Sequence, residues 1–150
     1  KSNLLRFLEL IAVSSQGRLG KHIQSLGGMD PIVWDGIATS ISFCLETEPV
    51  GSELGPEHYE LELARLGSGS SYKIGKELLI NSYKLGEKIE RNPFKFLERI
   101  STSAVFFDET QRTFVTPEEF ISDEESLLSL AAGPFINNRF IPPSRENWLR

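Results

Sequence analysis

The sequence predicts an all-α or mostly α fold: a compact helical domain with at most one short β-hairpin near 103–115 and an extended C-terminal arm. Three observations predict it. Start and stop signals recur along the chain, at Gly27-Gly28, Asp30-Pro31, Asn92-Pro93 and Gly133-Pro134. Apolar residues between them fall at three- and four-residue spacing. The 150 residues are 39% hydrophobic, which is enough apolar material for one core.

Taken in order, Asn3 caps a first helix with Leu4, Leu5, Phe7, Leu8, Ile11 and Val13 on one broad face, interrupted at Gly17 and Gly20. A short piece, Lys21 to Leu26, ends at Gly27-Gly28, where glycine takes the left-handed helix-ending conformation. Asp30-Pro31 then opens the expected core helix, Pro31 to Leu45, with Val33, Ile37, Ile41 and Cys44 at helical spacing. Glu46 to Gly55 reads as a loop. Pro56 opens a helix with Tyr59, Leu63 and Leu66, which Gly67 ends. Gly67 to Ser71 is a flexible connector. The next helix carries Ile74, Leu78, Leu85 and Ile89, with Gly75 and Gly86 weakening it by about 1 kcal/mol each. Asn92-Pro93 restarts the chain for Phe94, Leu97 and Ile100.

The pattern changes at Ser101. Ala104 to Phe107 and Thr113 to Val115 are strand-like around a polar turn, Asp108 to Arg112. Thr116 with Glu119, and Ser122 with Glu125, form capping boxes, the second before Leu127, Leu128 and Leu130. The expected organisation is a helical domain over 1–134, with a connector at 67–71, and an extended arm over 135–150.

Composition narrows the function. The net charge of −5 argues against a general nucleic-acid binder, because phosphate contacts need cations. The stretch 73–99, with Lys73, Lys76, Lys84, Lys88, Arg91, Lys95 and Arg99, is the single candidate for one. Charge interrupts every apolar run well short of the ~20 residues of a membrane helix, so no membrane span is expected. With Cys44 as the lone cysteine, the chain has no internal disulfide, and a reducing intracellular location fits. His22 and His58 are too few for most metal sites, so neither metal nor cofactor is expected.

Catalytic signals are diffuse. The carboxylate pairs Glu46/Glu48, Glu57/Glu60 and Glu118/Glu119 are plentiful, but acid–base work needs carboxylates converging across a cleft. Cys44 lies on the apolar face of its expected helix, where a buried thiol is inert. Gly67 to Ser71 precedes Lys73, yet the spacing is not that of a P-loop. A hydrolase built from scattered Glu and His side chains is the alternative function.

One segment follows a known pattern. With Asp108 at loop position one, Thr110 falls at three, Arg112 at five, Thr113 at six, Val115 at eight and Glu119 at twelve, followed by Phe120. This resembles a degenerate, non-calcium-binding EF-hand loop of the kind found in mitochondrial calcium-regulated proteins. Arg112 stands where an oxygen donor belongs and Thr113 where the turn needs glycine. The resemblance implies an EF-hand-like regulatory module without metal, a further alternative. Leu54 to Tyr59 echoes Val115 to Phe120, but Pro-Glu is a common helix opening for capping reasons alone, and the echo reads as chance similarity.

The leading expectation is a non-catalytic interaction or structural module, a subunit of a larger assembly with a protein partner. Pro142-Pro143 keeps the arm from forming a helix early, so its order must come from side chains. Phe135, Phe140, Ile141 and Trp148 are therefore the expected partner-binding residues.

Overall fold

Side-chain alternation, rather than the helical period, organises most of this chain. A computed structural model describes residues 2–33, 36–47, 54–67, 70–85, 88–89, 94–108, 111–116 and 122–130. Two helices, α1 (Ser2–Ser15) and α2 (Leu19–Ser25), lead into seven strands and a final short helix. The strands are β1 (Ser40–Glu46), β2 (Leu54–Arg65), β3 (Tyr72–Leu85), β4 (Lys88–Ile89), β5 (Phe94–Ile100), β6 (Ser103–Asp108) and β7 (Thr113–Val115). The helix is α3 (Leu127–Leu130). The sheet order is β1-β2-β3-β5-β6-β7, every pair antiparallel, with β4 paired to the end of β3.

The all-α or mostly α expectation is therefore overturned: the protein is mostly β. The expected core helix Pro31–Leu45 is a turn around Met29–Val33 followed by strand β1. The expected helices after Pro56, after the 67–71 connector and after Pro93 are strands β2, β3 and β5. In β1, Ile41, Phe43 and Leu45 alternate with Ser40, Ser42, Cys44 and Glu46, and burial alternates with them. In β2, Tyr59, Leu61 and Leu63 are buried while Glu60 and Glu62 are half-exposed. That is the period of a half-covered antiparallel sheet. Register joins the two inner rows: Ile41 opposes Leu63, Phe43 opposes Leu61, and Leu45 opposes Tyr59.

In β3 the alternation is harder to see, because a bulge interrupts it. Glu62 pairs with Lys76 and Leu63 with Ile74, leaving Gly75 as the extra residue. A Cβ at Gly75 would lie 2.9 Å from Glu62 Oε1, the end of a flexible side chain, and 3.5 Å from the Ala64 Cβ. The hairpin expected near 103–115 is present as β6 and β7, but as the last turn of a long meander. Asp108, at the end of β6, pairs with Thr113, at the start of β7, and Arg112 between them has φ 52°.

The helices cover one face of the sheet. Leu10 and Ile11 of α1, Leu19 and Ile23 of α2, and Leu127 and Leu128 of α3 join Leu61, Leu63, Ile74, Leu79, Phe96 and Leu97 in one core. The turn after α2 follows expectation: Gly27 and Gly28 have φ of 91° and 92°. Gly28 also lets the chain pass close to Ser70, whose carbonyl accepts from Met29 N at 3.1 Å. The arm, 135–150, lies outside the described residues, as does the Gly133-Pro134 stop.

Candidate functional site

Helix α1 and the edge strand β1 diverge at one end of the core, and a groove of about 380 Å³ opens between them. From α1 it is lined by Arg6, Phe7 and Leu10, and from the turn after α2 by Leu26, Pro31, Ile32 and Val33. Ile41 and Phe43 of β1 complete it. The helix meets the strand through Phe7 and Phe43, whose ring centroids are 5.2 Å apart. The turn is fastened from below: Arg65 donates to the Gly36 carbonyl at 2.8 Å and forms an ion pair with Asp30. Among the described residues, Arg6 is the single charged side chain in the lining. On the other flank of α1, Leu4, Leu5 and Leu8 are 63%, 65% and 45% exposed. A volume of this size, walled by apolar groups with one polar anchor, is what small-ligand pockets present.

A second constellation is buried in the middle of the sheet. Glu77 of β3 is fully buried and accepts from Tyr59 Oη at 2.8 Å, Ser126 Oγ at 2.6 Å and the Leu127 amide at 2.8 Å. Burial pushes its carboxyl above the ordinary value, while these donors and the charge of Arg99 pull the other way. Arg99, also buried, donates to the carbonyls of Ser101, Glu125 and Ser122 at 3.1, 3.0 and 3.0 Å, and to Asp123 Oδ1 at 3.2 Å. The two side chains thus bind the backbone of 122–127 to the sheet. Glu125 extends the fastening by accepting from the Leu19 and Gly20 amides, both at 3.2 Å, and so caps α2. The box expected between Ser122 and Glu125 is used differently: Ser122 accepts from the Glu124 amide. A perturbed carboxylate is a catalytic signal only where substrate can reach it. Glu77 is 0% exposed, and both its oxygens serve the fold.

The third candidate is on the uncovered face. Cys44 Sγ lies 3.6 Å from His58 Nε2, and His58 Nδ1 lies 3.8 Å from Glu46 Oε1. These strands put a thiol, an imidazole and a carboxylate in one row. The electrostatics oppose nucleophilic use. Partial burial raises the Cys44 thiol, and Glu60 and Glu46 raise it further, whereas a reactive cysteine needs cationic neighbours. The expectation that Cys44 lies on a buried apolar face is corrected: it is exposed on β1. Among the described residues, no group of three His, Cys, Asp or Glu side chains is placed to hold a metal ion.

Strand geometry also separates residues that a helix would have gathered. Glu57 faces the core at 8% exposure and Glu60 faces outward, where it pairs with Lys76 at 2.8 Å. The basic stretch 73–99 is split in the same way. Lys76 and Lys95 pair with Glu60 and Glu98 outside, and Arg99 points inward. Lys84, Lys88 and Arg91 have side chains outside the described set. The expected partner-binding residues Phe135, Phe140, Ile141 and Trp148 fall outside the described residues altogether. Sequence reasoning missed the groove. Its one legible signal was the apolar face of α1, which is wider than a helix of this length needs for one contact.

The fold and these sites define an antiparallel meander covered on one face by helices, with an apolar groove at its edge. Comparisons with family models, curated proteins and solved structures find no match to this chain. Among the described residues, no helix is long and apolar enough to cross a membrane.

Proposed function

We propose that the chain is a non-catalytic binding module whose α1–β1 groove receives the apolar part of a partner. The observation that supports this reading is the lining itself: eight apolar side chains and one arginine around about 380 Å³. Covering such a surface releases water at roughly 25 cal/mol per Å² of apolar area, the usual driving force for association. The buried Glu77 and the thiol of Cys44 offer less, the first because it is enclosed and the second because its neighbours are acidic.

The test is a titration of the full chain with Nile red, a neutral apolar dye. Saturable emission is expected, and Ile32→Glu in the groove wall should abolish it. Ile100→Glu, on the exposed end of β5, should leave it unchanged. Equal loss in both variants, or no saturable signal in the parent chain, would overturn the reading.

A further inference from the structure

The groove is not electrically neutral: among the described residues that line it, one, Arg6, is charged, and it is placed to select a ligand. Resting on the groove reading above, we propose that the groove binds a single-chain amphiphile with a carboxylate head. The chain would lie along Phe7, Leu10, Ile32 and Phe43, and Arg6 would hold the head.

Most of the described arginines are occupied. Arg18 donates to Gln16, Arg65 to Asp30 and Gly36, and Arg99 to the backbone of 122–125. Arg6 makes no ion pair or side-chain hydrogen bond with any described residue, and it stands on the wall of an apolar cavity. A guanidinium presents a planar fork of donors that matches a carboxylate in two parallel hydrogen bonds. The chain as a whole carries −5, so a lone cation against apolar walls is a local reversal of the protein's charge. An anion reaching it meets attraction there and repulsion over much of the remaining surface.

The shape of the groove points to the same ligand. The cavity, about 380 Å³, lies at the lower end of the range for small-ligand sites, which suits one flexible alkyl chain. Its walls come from both aromatic and aliphatic side chains, and among the described residues that line it none is acidic. Phe7 and Phe43 both line it and meet where helix and strand touch, and Arg6 lies one residue before Phe7. A head at Arg6 therefore leaves the tail directed between the helix and the strand.

Isothermal titration of the full chain with octanoate, decanoate and dodecanoate tests this, with decanol as the neutral control. Affinity should rise about fourfold per added methylene until the groove is filled. Decanoate should bind more tightly than decanol. Arg6→Gln should weaken decanoate about tenfold and leave decanol and Nile red unchanged. Lys21→Gln, an exposed cation of α2 outside the lining, should change nothing. Equal binding of decanoate and decanol, with Nile red retained, overturns the carboxylate proposal and leaves the groove reading intact. No binding of any of these probes overturns both. Dimerisation that displaces decanoate would make a second copy of the chain the occupant, and the amphiphile proposal would fall.

Discussion

The fastening around Glu77 and the groove beside Arg6 lie on the same covered face of the sheet and are built on opposite principles. At the first, β3 and β5 have neighbours on both sides, and the helices close over them. Both oxygens of Glu77 and all three side-chain nitrogens of Arg99 find partners. At the second, β1 is an edge strand, with a paired neighbour on one side only among the described residues. Ile41 and Phe43 there are half-buried, while Leu61 and Leu63 opposite them are fully buried. The difference teaches where this small fold spends its specificity. Polar groups are committed in the centre, where an unpaired one is most costly, and apolar surface is left open at the rim.

The largest expected effect lies at the centre of the sheet. Glu77→Ala removes the acceptor for two hydroxyls and the Leu127 amide. Each buried donor left unpaired costs about 1–3 kcal/mol, so with three donors the expected loss in urea unfolding is at least about 3 kcal/mol. A loss under about 1 kcal/mol would mean that 122–130 is held by other contacts. Leu79→Ala, at a fully buried position of β3, should cost about 2–5 kcal/mol in the same measurement.

A finer effect is a slope with pH. Burial raises the folded-state pKa of Glu77 above its ordinary value of 4.5. The folded chain then holds a proton that the unfolded chain has released, so stability falls as pH rises from 4.5 toward the folded pKa. One group contributes at most about 1.4 kcal/mol per pH unit. Urea midpoints measured between pH 4 and 8 should show this fall, and Glu77→Gln should remove Glu77's share of it. A slope unchanged in that variant would assign the proton elsewhere.

The smallest effect belongs to the groove. Ile41→Ala should cost about 1 kcal/mol or less, because one side of Ile41 already faces open space. The helical reading of 31–45 would have made Ile41 a core residue worth about 2–5 kcal/mol. A measured cost in that higher range would show that the groove is filled and would count against the binding reading.

What the sequence by itself determined was punctuation and supply. The first helix, the glycine stop at 27–28 and the strand–turn–strand at 103–115 were legible, because each depends on residues adjacent in the chain. Elsewhere the same residues fitted two periods. Tyr59 and Leu63 suit a helix at four-residue spacing, and with Leu61 between them they also suit a strand. Helix-forming Glu, Leu and Lys fill β2 and β3, and the Gly75 bulge with buried Glu77 hides the alternation of β3. Only pairing with neighbours decides such segments, because strand preference is largely packing against other strands and local propensity is a weak guide. The groove, the capping of α2 by Glu125 and the inward turn of Arg99 belong to that same level. Each joins residues far apart in sequence, such as Leu19 with Glu125, and no local pattern encodes their meeting.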